Sequence, residues 1–332
     1  MQAVATARRA RSSERIGALV LRLLNRYTFL FSLVLLVALL IANLAEDGGH
    51  FNWQDQLADL APVALAAMAS TPAIISGGGG FDLTISPTMV LMGEIFVVWL
   101  APHGLGGAVA VPLILIAGAT VGLINGMLIM WLRVPPVVVT LSTYFILIGV
   151  DLEVSPYPAY LQTSWLQHLA GSVAGIPGAF FTLGLPLALW GLLGLVPFKR
   201  TLLLVGAGDA AAFASGVNVA LIRVAAYALG GLFAGIGGLA LLGLTLSANG
   251  NLAQTYTLLA IAGVALGGTS LWGGRGGIIG SLFGAACIYL LSTLLTTLQV
   301  DASYLQVLYG GILIVAVVLG GVAASARKAE ES

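Results

Sequence analysis

Long apolar runs alternate with short polar or Gly/Pro punctuation along the whole chain. This pattern predicts membrane-spanning helices, not the amphipathic elements of a soluble core. Cut at charges, Pro/Gly clusters and polar turns, the runs fall near 28–45, 57–76, 84–101, 107–131, 136–150, 180–197, 218–246, 256–269, 277–298 and 303–321. Most approach the ~20 residues that a span requires. The 218–246 run is longer, and tilt or a cytoplasmic extension absorbs the excess. The expected fold is therefore all-α and polytopic, with about ten transmembrane helices. A cytoplasmic basic segment, 1–27, is expected to precede a transmembrane domain, 28–321, and a cytoplasmic tail, 322–332, to follow it. Within the domain, 151–179 reads as the one long outer loop and 198–217 as the longest inner segment.

The charges support this layout. With both termini in the cytoplasm, ten spans place all 13 Lys and Arg on the inner side. Arg8, Arg9, Arg11, Arg15, Arg22 and Arg26 precede the first run, Arg133 follows the fourth, and Lys199 and Arg200 follow the sixth. Arg223 starts the seventh, Arg275 follows the eighth, and Arg327 and Lys328 follow the tenth. The outer segments hold Glu46, Asp47, Asp55, Asp59, Asp151, Glu153 and Asp301 and no base. Adding or losing one span would reverse the side of every later base. The first run lacks a small-residue cleavage site and reads as a retained span. Residues 11–26 alternate basic and apolar positions at helical spacing, which fits either an interfacial helix or a solvated basic tail.

Composition narrows the function. Of 332 residues, 59% are hydrophobic and 8% charged, against about 25% charged in soluble domains. The formal net charge of zero leaves no electrostatic footprint for nucleic acid. Cys287 is the one cysteine, and His50, His103 and His168 lie outside the apolar runs, so neither a disulfide framework nor a metal site is expected. A phosphate-binding loop needs Gly-Lys-Ser/Thr, but Lys199 follows Phe198 and Lys328 follows Arg327. ATP hydrolysis, if it drives this protein, belongs to another polypeptide. No cofactor is expected.

Glycine is abundant, at 44 residues. Gly118, Gly122 and Gly126 recur every fourth position, as do Gly276, Gly280 and Gly284, and Gly231 and Gly235 begin a similar face. Such faces let helix backbones approach closely in lipid. The run Gly77-Gly78-Gly79-Gly80 differs, because consecutive glycines do not propagate a helix. A break at membrane depth exposes backbone that protein or a water-filled cavity must satisfy. Asp82, just beyond, fits either a cap on the next helix or a direct role toward solute. Glu94 lies inside the third run, where a carboxylate is costly unless paired or facing a water-filled path. Phe81, Asp82, Thr84 and Glu94 are the candidate translocation-path residues. Asp82 and Glu94 would stand about 18 Å apart along one continuous helix, so one small solute would not touch both.

Three stretches together resemble the motifs of one known family. Ser76-Gly77-Gly78-Gly79-Gly80-Phe81-Asp82-Leu83-Thr84 resembles the family's Ser-Gly-Gly-Ile-Asp-Leu-Ser. Pro135-Pro136-Val137-Val138-Val139-Thr140-Leu141 is similar to Pro-Pro/Ala-Phe-Ile-Val-Thr-Leu. Leu266-Gly267-Gly268-Thr269-Ser270-Leu271-Trp272-Gly273-Gly274-Arg275-Gly276 is similar to Leu-Gly-Gly-Thr-Ser-Leu-Ser-Gly-Gly-Arg-Gly. Their order and spacing match over about 55–320, and together they resemble ribose-type ABC importer permeases of the branched-chain amino acid/ribose permease superfamily. The resemblance implies the family's ten-span fold in a bacterial inner membrane. It also implies a cytoplasmic ABC ATPase, a second permease copy or paralogue, and a periplasmic substrate-binding protein as partners. A sugar or sugar-like polyol would be the solute.

The inner segment Gly206-Ala207-Gly208-Asp209-Ala210-Ala211-Ala212-Phe213-Ala214-Ser215-Gly216 resembles the family's Gly-Gly-Asn-Pro-Glu-Ala-Ala-Arg-Leu-Ser-Gly, where the short coupling helix is expected to dock on the ATPase. Asp209 fits an N-cap, the alanines favour helix, and Gly216 fits the stop; a simple loop-crossing helix is the alternative. The chain departs from the family at Tyr256-Thr257-Leu258-Leu259-Ala260, which lacks two acids common there, and at Ile148-Gly149, where Arg-Gly is common. A self-contained proton-coupled secondary carrier is the competing reading, since broken helices occur there too. An enzyme finds no His/Asp/Ser or metal constellation in the spans.

Overall fold

The computed structural model describes residues 32–46, 51–161, 165–301, 304–312 and 314. The basic segment 1–27, with the amphipathic stretch 11–26, and the tail 322–332 lie outside them. The protein is mostly helical. Its elements are α1 (Ser32–Glu46), α2 (Trp53–Ile75), α3 (Ile85–Glu94) with a π-helical extension (Ile95–Leu100), α4 (Ala110–Leu132) and α5 (Pro136–Val154). There follow α6 (Gln167–Ala170), α7 (Ala179–Leu193), α8 (Phe198–Ala207), α9 (Asp209–Ala214), α10 (Val219–Thr245), a 3-10 turn (Gly250–Gln254), α11 (Tyr256–Leu266) and α12 (Ile278–Thr297).

Among the described residues, five helices are long and apolar enough to cross a membrane, and six if α7 and α8, bent by 85°, count as one span. The remaining expected runs coincide with shorter apolar helices: α1, α3 with its extension, and α11 with the 3-10 turn before it. Residues 304–312 are helical at the start of the tenth run. Helix starts follow local chemistry. Asn52 and Asn218 cap α2 and α10 through their side chains. Pro136 occupies the first turn of α5, where its missing N–H is not needed.

Helix α2 is the core. Nearly every residue from Ala61 to Ile75 is buried, and α7, α10, α11 and α12 pack around it. Its alanines let four neighbours approach, and its hydroxyls are satisfied internally: Thr71 Oγ1 is hydrogen-bonded to Ala67 O and to the Ser281 hydroxyl of α12, both at 2.7 Å. Helix α10 is the second hub. Its glycines serve three neighbours, Gly231 and Gly235 meeting α4, Gly230 meeting Ala69 of α2, and Gly238 meeting Met89 of α3. On the α4 side, a methyl on Gly118 would strike Gly231, and one on Gly126 would come 2.9 Å from Val224 Cα. Backbone contact this close requires the absence of a side chain.

One glycine expected on a helix face is elsewhere. Gly280 and Gly284 lie on α12 against Gly263 of α11 and Gly267, the residue that caps it. Gly276 precedes α12 and sits in the turn, with φ +113°, against Thr269. Sequence spacing alone projected the helix two residues too far; the double glycine Gly276-Gly277 prevents its extension.

The expected outer loop is partly structured. Ala159–Tyr160 pairs antiparallel with Ser247–Ala248, and Ser172–Val173 with Ile176–Pro177. Leu166 is buried over Gly243, and Trp165 Nε1 donates to Gly106 O at 2.7 Å, so this segment closes over the ends of α3 and α10. Large apolar side chains on α1, α4 and α5, among them Ile41, Ile116, Ile124, Phe145 and Ile146, remain exposed. A surface of this kind suits lipid or another apolar helix.

Candidate functional site

The break after α2 is built from four glycines in sequence. Ser76 ends the helix, and Gly77, Gly78 and Gly79 all take positive φ, 72°, 65° and 74°. Only glycine adopts three such residues without strain. The chain then enters a buried polar knot. Asp82 Oδ1 accepts from the Thr84 N–H at 2.9 Å and from the Thr84 hydroxyl at 2.6 Å. Asn125 of α4 donates to Thr84 Oγ1 at 3.0 Å. Thr140 of α5 donates to Phe81 O at 3.1 Å.

Asp82 is thus not the N-cap of α3. Thr84 occupies that position without a side-chain cap, and Asp82 instead closes a two-residue turn that aims the chain into the helix. The carboxyl is engaged by the N–H and hydroxyl of Thr84, the residue before the helix, and not by a helical N–H. Asp82 Oδ2, Asn125 Oδ1 and the Tyr227 hydroxyl are buried without a hydrogen-bond partner. The knot therefore retains unused polar capacity in an apolar surround.

Glu94 closes α3, and the backbone then widens into the π-helix. Single π segments recur at functional sites because they re-aim the adjoining side chains. Glu94 is fully buried, and across from it stand Asp151 and Ser155, equally enclosed. The two carboxyls and the Ser155 hydroxyl lie within interaction range. Yet no hydrogen bond is completed by either Glu94 oxygen, either Asp151 oxygen or Ser155 Oγ. The expectation that Asp151 belongs to a water-facing outer loop is corrected here. Helix α5 continues to Val154, one turn beyond the apolar run, and this turn rotates Asp151 inward against α3. The 3-10 turn seals that side: a methyl on Gly250, its first residue, would come 2.6 Å from the Asp151 carbonyl oxygen.

The four candidate path residues therefore form two groups. Phe81, Asp82 and Thr84 meet Asn125 and Thr140 at one end of α3, while Glu94 meets Asp151 and Ser155 at the other. Sequence reading missed Asn125, Asp151 and Ser155. The signal for Asn125 was an amide within the otherwise apolar run 107–131.

The inner segment contains two helices where one was expected. α8 carries Lys199 and Arg200 in its first turn, and α9 follows across Gly208. Gly208 stands at the N-cap of α9, and Asp209, expected there, is the first helical residue. The Asp209 carboxylate instead pairs with Arg223 of α10 at 2.7 Å. Gly216, at φ +79°, ends the helix: its N–H donates to Phe213 O at 2.9 Å and the Val217 N–H to Ala212 O at 3.1 Å. Ala212 is buried, and Phe213 projects outward, 76% exposed. Ala210, Ala211, Ala214 and Ser215 are exposed beside it. Among the described residues no group of three or more His, Cys, Asp or Glu is placed to hold a metal.

Residues 53–317 match the family model described as the branched-chain amino acid transport system / permease component. The chain belongs to this permease family. It is 33% identical over 305 residues to the ribose import permease protein of Bacillus subtilis (strain 168), covering 90% of this chain and 93% of that protein. It is 30% identical over 302 residues to the fructose import permease protein of Rhizobium meliloti, covering 86% and 83%. The galactose/methyl galactoside import permease protein of Salmonella typhimurium (strain LT2) is 31% identical over 234 residues, covering 67% and 69%. No solved structure matches the chain. Family membership decides against the secondary-carrier reading.

Proposed function

We propose that this permease is the membrane subunit of an ATP-driven importer and forms the path for a sugar or sugar-like polyol. The observation that carries the reading is the match to sugar import permeases across nearly the whole chain. ATP would be hydrolysed on a separate cytoplasmic ABC ATPase, since the chain has no Gly-Lys-Ser/Thr loop. A second permease copy or paralogue and a periplasmic binding protein complete the assembly in the bacterial inner membrane. The ten spans, the cytoplasmic termini and the limits 1–27, 28–321 and 322–332 belong to the same proposal, supported by the one-sided distribution of bases.

Two polar stations suit such a path. Hydroxyl-rich solutes need carboxylates, amides and hydroxyls beside apolar surface. Asp82, Thr84 and Asn125 with Phe81 supply these at the α2–α3 break, and Glu94, Asp151 and Ser155 supply them at the far end of α3. Both stations are closed over in this conformation, so opening them is the work that ATP would drive. Residues Asp209–Gly216 are the proposed docking helix, with exposed Phe213 as its anchor in an ATPase groove.

The test is reconstitution in proteoliposomes with and without the ATPase and the binding protein. ATP-dependent uptake only in the complete system is the expected result. Accumulation by this chain alone under a proton gradient would reject the proposal.

A further inference from the structure

The guanidinium of Arg223 lies where three inner elements meet. Its Nη2 contacts the Asp209 carboxylate of α9 at 2.7 Å. The same Nη2, together with Nε, points at the Ser76 carbonyl that ends α2, both at 3.4 Å. The fork lies over Gly78, where a methyl would come within 2.6 Å of Nη2. Arg223 itself stands near the start of α10, four residues beyond Val219. One planar cation thus bridges α9, the carbonyl end of α2 and the glycine break. A cation favours that carbonyl end because the helix dipole is negative there.

Backbone contacts reinforce the junction. The Gly274 N–H donates to Ile75 O at 2.9 Å. Gly206, three residues before α9, presses on Ile75 O and on Gly274, and a methyl on Gly77 would come 2.9 Å from Gly206 Cα. Helix α2 is the most enclosed of the long apolar helices and leads directly into Phe81, Asp82 and Thr84. A displacement of α9 therefore has a short, stiff route to the polar knot. On that route the Arg223 side chain touches both ends.

We infer that Arg223 is the transmission residue of this permease: its bridge from Asp209 to Ser76 converts movement of α9 into movement of the α2–α3 break. This rests on the reading of α9 as the docking helix. The contacts of Arg223 are to Asp209 and the Ser76 carbonyl, so the role inferred for it is positional. Removing the guanidinium should leave the assembly intact and hydrolysing ATP, but silence the response at the break.

The experiment uses the full chain copurified with its ATPase in proteoliposomes. Leu83→Cys reports on the break through its rate of labelling by a maleimide; native Cys287 is buried and serves as background. ATP with vanadate should change that rate severalfold in the parent, within the roughly 5–150-fold span of allosteric couplings. Arg223→Gln should bring the response to within about twofold while ATPase copurification and hydrolysis persist, an uncoupling that a merely structural role would not produce. Arg223→Lys keeps the charge but lacks the planar fork that reaches both Asp209 and Ser76, so it serves if Arg223→Gln fails to assemble. An undiminished response in either assembled variant overturns the inference, as does the absence of any response in the parent. Phe213→Asp separates this from the docking assignment. If the ATPase still copurifies with Phe213→Asp, α9 is not the docking helix, whatever Arg223 does.

Discussion

The α4–α10 seam allows a prediction with a worked magnitude. Gly122 faces backbone: a methyl there would strike Tyr227 O, stand 2.8 Å from the Tyr227 carbonyl carbon and 3.2 Å from Ala228 Cα. Optimal carbon–carbon separation is about 3.5–4.0 Å, so the methyl intrudes by roughly 1 Å on atoms that cannot rotate away. Relief requires α4 and α10 to move apart, although they also touch at Gly118 and Gly126. Overpacking of this kind costs about 1–3 kcal/mol. Intrinsic helix propensity acts the other way, since Ala is favoured over Gly by about 1 kcal/mol. Gly122→Ala should therefore lower stability by up to about 2 kcal/mol, the steric term winning. The control is Gly191→Ala on α7, where nothing lies within 4 Å of the added methyl; it should be neutral or stabilising by up to about 1 kcal/mol. Unfolding in mixed micelles by titration with dodecyl sulfate measures both. If Gly122→Ala resists unfolding as well as Gly191→Ala, the close approach of α4 and α10 is wrong.

Two further outcomes concern the polar stations. Glu94→Gln gives the Asp151 carboxyl an amide donor in place of an acid, so stability should hold or rise by about 0.5–1.5 kcal/mol, while uptake in the reconstituted importer should change; normal uptake would remove Glu94 from the path. Asp82→Ala strips the Thr84 N–H of its acceptor and should destabilise by about 1–3 kcal/mol, whereas Asp82→Asn keeps an acceptor oxygen and should fold normally. Loss of uptake in folded Asp82→Asn would show that the charge itself serves transport, and unfolding of Asp82→Asn as severe as that of Asp82→Ala would contradict the turn geometry.

The sequence by itself determined where the long apolar helices lie to within about a turn, because hydropathy and Gly/Pro punctuation act locally. The runs 136–150, 218–246 and 277–298 became α5, α10 and α12 with shifts of a few residues. The four glycines after Ser76 announced a break, and Gly216 announced the end of α9, from backbone preference alone. The polar residues' partners were decided by tertiary structure. Asp151 read as a loop acid until α5 extended by one turn and brought it against Glu94. Asp209 read as a cap until Arg223, 14 residues away, claimed its carboxylate, and the same guanidinium reached Ser76 across 147 residues. Gly230, Gly231 and Gly238 sit close together on α10 yet face three different helices. At about 3.6 residues per turn, each step along a helix rotates the side chain by roughly 100°, so a boundary error of one residue sends it to another neighbour. In spans apolar all round, no water-facing side fixes that rotation; it is set by which helix backbones pack closely enough to need a glycine between them.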